Sequence, residues 1–121
     1  MHKLTASLED YLEIICNYDN SNKKIRAIDI SKELGVSRAS VTEALKKLAA
    51  NNFIMYGRYD SISLTEQGRK IAQEVVSKHI VLQMFFESIG LSKDEASLNA
   101  CKVEHVITQN AFDKISQHIK K

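Results

Sequence analysis

In the stretch N-A-C-K-V-E-H-V-I, residues 99–107, a thiol, a carboxylate and an imidazole stand at Cys101, Glu104 and His105. The spacing i, i+3, i+4 puts three lone-pair donors on one stripe of a helix. Such donors can hold a borderline divalent transition metal. The same stretch also reads as a small buried cysteine beside a surface Glu–His pair, and on its own it leaves both readings open. Two further places offer donors. Asp10 and Glu13 stand at i, i+3, off the apolar stripe of the first helical segment. His79 lies on an apolar stripe between Val75 and Leu82. Each has an ordinary version, a solvated carboxylate pair and a satisfied core histidine, and each is equally competent as a ligand.

These donors need helices to carry them, and the pattern is mostly helical. Leu8, Tyr11, Leu12, Ile15 and Tyr18 follow at helical spacing, with Ser7 as the expected N-cap. A polar loop, N-Y-D-N-S-N-K-K, comes next. From Ala27 to Ala50 the chain reads helix, short turn with Gly35 as the stop, and a second helix capped by Ser37, which is a helix-turn-helix pattern. Val41, Leu45 and Leu48 face a core, while Arg38, Ala39, Thr42, Glu43 and Lys46 form the opposite face. Arg38 suits a guanine edge, Thr42 a base or phosphate, and Lys46 and Lys47 phosphates. A solvated amphipathic helix is the plainer alternative.

The segment F-I-M-Y-G-R-Y-D-S-I-S-L-T then reads as two strands around a polar turn. A hairpin directly after a helix-turn-helix is a wing, and Arg58 near its tip is placed for the phosphate backbone or the minor groove; otherwise it is a solvated turn charge. Thr65 is the expected cap of a long helix carrying Ile71, Val75, Leu82, Phe86 and Ile89 until Gly90. Ser92 and Glu95 have capping-box spacing ahead of the Cys101 segment. Phe112, Ile115 and Ile119 mark a last helix.

Composition sets the limits. With 121 residues, 44% hydrophobic and 26% charged, the chain suits one domain or two small lobes. No apolar run approaches a membrane span, the N-terminal M-H-K-L-T-A-S-L-E-D lacks an apolar signal region, and two cysteines make no disulfide framework. A cytoplasmic, reducing home is expected. The net charge is only +2, but Lys23 to Arg58 holds eight bases and three acids, while Ile71 onward holds six of each. A basic front lobe suits an anionic partner, although an ordinary solvated face is also compatible.

Five ordered segments carry a resemblance over nearly the whole chain. S-L-E-D-Y-L-E-I-I, G-V-S-R-A-S-V-T-E-A-L-K-K-L, S-L-T-E-Q-G, K-H-I-V-L and A-C-K-V-E-H-V-I resemble the DtxR/MntR family of metal-dependent transcriptional repressors. The resemblance implies a winged-helix DNA-binding lobe, a helical dimerisation lobe, a homodimer and a divalent metal corepressor. By position, Asp10, Glu13, His79, Cys101, Glu104 and His105 match family ligands, and Ser37, Arg38, Ala39, Ser40 and Thr42 match DNA-reading positions. The match is a hybrid. A carboxylate at Asp10 marks the manganese branch, whereas a cysteine at Cys101 marks the iron branch. Gln83 and Ser97 replace the ligands of the iron branch's ancillary site. Arg38-Ala39 stands where proline is frequent, so the operator does not carry over.

The expected protein is mainly α: a winged helix-turn-helix with a β-hairpin wing over 1–70, and an all-α metal-binding and dimerisation lobe over 71–121. The expected function is a metal-dependent repressor controlling metal-ion homeostasis genes, with Fe²⁺ ahead of Mn²⁺ and Zn²⁺, Co²⁺ or Ni²⁺ able to bind in vitro. Its expected partners are a palindromic double-stranded DNA operator and a second copy of itself, with no membrane and no small-molecule substrate. The apolar faces of 82–89 and 112–119 exceed what one small chain can bury, which also points to a dimer. The rivals are a winged-helix regulator responding to thiol redox at Cys101 and, more remotely, a small metalloenzyme, for which no phosphate loop or oxyanion motif is found.

Overall fold

Hydroxyl side chains start every α-helix but Ala27–Leu34, where the Asp29 carboxylate accepts from the Arg26 N–H instead. Thr5 Oγ1 accepts from the Leu8 N–H at 3.2 Å, Ser37 Oγ from Ser40 at 3.1 Å, Thr65 Oγ1 from Gly68 at 2.9 Å, Ser92 Oγ from Glu95 at 3.2 Å and Thr108 Oγ1 from Ala111 at 3.2 Å. The computed structural model describes residues 4–120. Its order is α1 (Ala6–Asn20), α2 (Ala27–Leu34), α3 (Arg38–Ala50), β1 (Ile54–Tyr56), a single 3₁₀ turn (Arg58–Asp60), β2 (Ile62–Leu64), α4 (Glu66–Ser88), α5 (Lys93–Val103) and α6 (Gln109–Ile119). The chain divides into two compact units between Gln73 and Glu74.

In the first unit, α1 buries Tyr11, Leu12, Ile15 and Cys16, α2 buries Ala27 and Ile30, and α3 buries Val41, Ala44, Leu45 and Leu48. Gly35 ends α2 with φ 66°, a left-handed cap whose N–H donates to the Ser31 carbonyl at 2.9 Å. The hairpin is antiparallel, with Ile54 opposite Leu64, Met55 opposite Ser63 and Tyr56 opposite Ile62. At its exit, Thr65 Oγ1 donates to the Asn52 carbonyl at 2.7 Å while capping α4. Gly68 permits that junction, because a Cβ there would stand 1.8 Å from the Phe53 carbonyl oxygen.

The second unit holds the rest of α4 with α5 and α6. Leu82, Ala96 and Ala100 are fully buried. Lys78 Nζ stands 5.9 Å from the Phe112 ring centroid, and the Phe85 and His118 rings pack edge-on at 6.4 Å. On α6, Phe112, Ile115 and Ile119 are only half-buried. Ile80, Met84, Ile89, Leu98 and Val106 are more than half exposed. Among the described residues, no helix is long and apolar enough to cross a membrane.

Three local expectations are corrected. Thr5, not Ser7, caps α1, because Leu8 is the N3 residue whose N–H Thr5 can reach. Ile89 lies beyond α4 and is 62% exposed, since the helix stops at Ser88 before Gly90 turns with φ 109°. Helix α5 also ends early, at Val103, where the chain turns toward the Thr108 cap of α6.

Candidate metal centre and nucleic-acid interface

That early end decides how the Cys101 segment is built. Glu104 is the C-cap of α5 with φ −56° and ψ −28°, so it keeps helical spacing from Cys101. His105 follows in the turn. Glu104 is no surface residue: its side chain is wholly buried. A buried carboxylate needs strong partners. His79, reaching from α4, places Nδ1 2.7 Å from Glu104 Oε1. His105 Nε2 lies 3.6 Å from Glu104 Oε2. The reading of 104–105 as a surface Glu–His pair therefore fails, because this carboxylate is buried with an imidazole on either oxygen.

One partner was missed from sequence. Ser97 Oγ lies 3.3 Å from His79 Nε2. Contacts at both ring nitrogens hold the ring's orientation; in the tautomer with Nε2–H donating to Ser97 Oγ, Nδ1 keeps its lone pair for a metal. Ser97 is one helical turn before Cys101, on the same stripe, so the i−4 spacing was a usable signal.

The remaining donors lie on α5 and α1. Cys101 is half-buried on α5. Asp10 and Glu13 are half-buried on α1 in the first unit, unlike a freely solvated pair. Glu9, beside them, is buried and was not anticipated. Cys16 is fully buried in the first unit, and its thiol is pushed above the ordinary range by burial; the Arg69 charge and the Asn20 hydrogen bond act in the opposite direction.

One carboxylate and two imidazoles gathered at Glu104, with a thiol one turn away, form a donor set that suits a divalent first-row metal. The buried carboxylate supplies charge, and its two imidazole neighbours are neutral ligands when deprotonated.

In the first unit, α3 presents Ser37, Arg38, Ala39, Ser40, Glu43, Lys46 and Lys47 to solvent, with Thr42 half-buried. The Ser37 hydroxyl donates to Ser40 Oγ at 3.0 Å while accepting the cap bond, and the Thr42 hydroxyl donates to the Arg38 carbonyl at 3.0 Å. These hydroxyls are thus partly engaged within the helix, which leaves the two lysines and Arg38 as its outward-reaching donors. Arg58 is exposed in the hairpin turn.

Family models match both halves of the chain: an iron-dependent repressor N-terminal DNA-binding domain over residues 3–62, and an iron-dependent repressor metal-binding and dimerisation domain over 65–121. This chain belongs to the iron-dependent repressor family, of the DtxR/MntR type. Members of this repressor family are transcriptional regulators, not enzymes, and act with a divalent metal. The HTH-type transcriptional regulator MntR of Geobacillus kaustophilus is 34% identical over 116 residues, covering 96% of this chain and 82% of that one. The fold is shared with the manganese regulator SloR, at TM-score 0.85 and 24% identity over 97% of this chain, and with IdeR of T. acidophilum, at TM-score 0.84 and 23% identity over all of it. This family member spans just over half the length of those two solved chains, 55% and 56%.

Proposed function

We propose that this protein is a metal-responsive repressor of metal-ion homeostasis genes, acting in the cytoplasm as a homodimer on a palindromic operator. The observation that carries the reading is the buried Glu104 carboxylate between His79 and His105 in a chain whose other unit exposes a basic helix. We assign His79, Cys101, Glu104 and His105 as ligands in the second unit. Asp10 and Glu13, half-buried on α1 and standing at family ligand positions, are assigned as carboxylate donors from the first. When bound, the ion supplies a positive charge that these carboxylates share.

The chain's own residues do the rest. Ser97 holds the His79 ring in a ligand-ready orientation. Occupancy of these ligands favours the arrangements in which α3 is offered to DNA. In a dimer, the two α3 helices then match successive major grooves, about 34–36 Å apart. The population shift is limited to the ion's differential affinity for the DNA-competent arrangement. Arg38, Lys46, Lys47 and Arg58 supply donors to bases and phosphates, Ser37, Ala39, Ser40 and Thr42 line the approach, and Glu43 rejects misplaced phosphates. The exposed apolar side chains of the second unit, Ile80, Met84 and Leu98 among them, are the surface that a second copy covers.

The signal is assigned to Fe²⁺ ahead of Mn²⁺. The Cys101 thiolate favours softer ions such as Fe²⁺, Co²⁺ or Ni²⁺, while Asp10 pulls toward Mn²⁺. Zn²⁺ binds such sites tightly in vitro, but availability decides in the cell. DNA binding against buffered free Fe²⁺ and Mn²⁺, under anaerobic conditions, tests the assignment in the wild type and in Cys101→Glu. The swap is expected to move activation toward Mn²⁺. A wild type that responds to Mn²⁺ but not Fe²⁺, with no change in the variant, would remove Cys101 as the selector.

A further inference from the structure

Between Lys23 and Arg58 the first unit carries eight bases and three acids, Asp29, Glu33 and Glu43. Two of the acids serve the fold. Asp29 accepts from the Arg26 N–H at 2.9 Å at the start of α2. Glu33 faces the Tyr18 hydroxyl of α1. Glu43 has no such role. Its side chain is exposed, and among the described residues no hydrogen bond or ion pair takes its carboxylate. Lys47, one turn later, has the spacing of a helix ion pair, yet the two are not joined.

The position of Glu43 on α3 is equally specific. Successive residues advance by about 100° around a helix axis. Val41, Ala44, Leu45 and Leu48 mark the buried side of α3. Ala39 and Glu43, one turn apart, fall on the side directly opposite. The hydroxyls around them are engaged: Thr42 donates to the Arg38 carbonyl at 3.0 Å, and Ser37 to Ser40 Oγ at 3.0 Å. The middle of the outward face is therefore a methyl group and an unpaired carboxylate, in the N-terminal half of the helix, which is the half that reaches base edges in helix-turn-helix docking.

A carboxylate is repelled by the phosphates that wall a groove, so attraction to the DNA backbone gives no reason for it there. On the groove floor it can only accept, which leaves the exocyclic amines. Guanine offers only acceptors, and thymine an acceptor and a methyl group. The adenine N6 amine lies beside the N7 acceptor, whereas the cytosine N4 amine has no acceptor beside it on the same base. We propose that Glu43 reads sequence: its carboxylate accepts a hydrogen bond from the N4 amino group of one cytosine in each half-site. The same charge disfavours guanine and thymine there, because it would face their acceptor oxygens. The small Ala39 side chain on the same stripe lets the helix approach closely. This assignment rests on the reading of α3 as DNA-binding and adds the base that one residue selects.

The test uses the full chain with Mn²⁺ and duplexes recovered by selection from a randomised pool. The wild type should select cytosine at one symmetric position in each half-site. Glu43→Gln, whose amide also donates, should select adenine there. Glu43→Ala should select no base at that position and keep the remaining preferences. Replacing the cytosine by 2-pyrimidinone, which lacks the N4 amino group, should weaken wild-type binding by about tenfold and leave Glu43→Ala indifferent. The side chain is exposed, so both variants should fold, and the base analogue probes the wild type unaltered. If the wild type selects no duplex and binds no DNA, this assignment and the α3 reading fall together. If it selects a duplex but both variants recover the same sequence, or the analogue weakens wild type and Glu43→Ala equally or not at all, Glu43 is no reader and this assignment alone is overturned. Tighter binding of every duplex by Glu43→Ala, with unchanged preference, would mean that the carboxylate only repels phosphates and would overturn it as well.

Discussion

His79 Nδ1 lies 2.7 Å from Oε1 of Glu104, a carboxylate with no solvent exposure. The two residues are 25 positions apart, on α4 and at the end of α5, so their bond ties those helices together and fixes the two side chains proposed as metal donors. Glu104→Gln keeps the volume but removes the charge that a divalent ion needs. We expect its metal affinity to fall by roughly the 10- to 100-fold seen for perturbed metal shells, or more, with the dimer intact. Calorimetric titration with Mn²⁺ checks this, and an unchanged affinity would exclude Glu104 as a ligand. Ser97→Ala should give a smaller loss, since it frees the His79 ring without deleting a donor.

Gly68→Ala should destabilise the first unit by about 3 kcal/mol or more, at the upper end of overpacking costs. The added methyl would stand 1.8 Å from the Phe53 carbonyl oxygen, and a backbone atom cannot swing aside as a side-chain end could. Chemical denaturation reads the change. A variant as stable as the wild type would mean that the contact between α4 and the start of the hairpin is not as close as described.

On α3, Lys46→Ala should weaken binding across all DNA sequences and lower the salt slope by about 1, whereas Arg38→Ala should also relax base preference. Both side chains are exposed, so neither change should move the melting temperature appreciably. Binding isotherms at several salt concentrations separate the two roles, and wild-type behaviour in both variants would reject this face.

The two cysteines should behave differently. Cys16 is fully buried and its thiol is raised by burial, so it should resist alkylation at neutral pH, while half-buried Cys101 reacts first and is protected by added metal. A raised thiol pKa in the folded state contributes stability that is present below the unfolded-state value, about 8.5, and is lost as pH rises through the folded value. Stability should therefore decline in the alkaline range, and less so in Cys16→Ala. Mass spectrometry of partially alkylated protein and denaturation against pH read these outcomes; Cys16 labelling ahead of Cys101 would contradict them.

The helices and the hairpin were legible from periodicity, hydroxyl caps and Gly35, but α1 is capped by Thr5 rather than Ser7 and runs on to Asn20, through residues expected to form the loop from Asn17. The helix-turn-helix from Ala27 to Ala50 needed nothing beyond local pattern. The end of α5 was not legible, because no glycine or proline marks Val103, and the break appears only when Thr108 starts the next helix. The burial of Glu104 was equally hidden. Its sequence neighbours Lys102 and His105 read as surface, and the residue that satisfies it, His79, lies on another helix. Ser97 was within reach through its i−4 spacing from Cys101, but its partner His79 lies on another helix. Tyr59 read as a strand former near a polar turn; only its backbone conformation exposes it as the apex of that turn.

The central claim is that metal occupancy controls DNA binding. The most direct measurement is the affinity of the purified full chain for its selected duplex, with metal buffered at a fixed free concentration and again with excess chelator, at constant ionic strength. The account predicts tight, saturable binding with Fe²⁺ or Mn²⁺, and weak, sequence-indifferent binding once the metal is chelated. Equal affinity and equal sequence preference in the two conditions would contradict it.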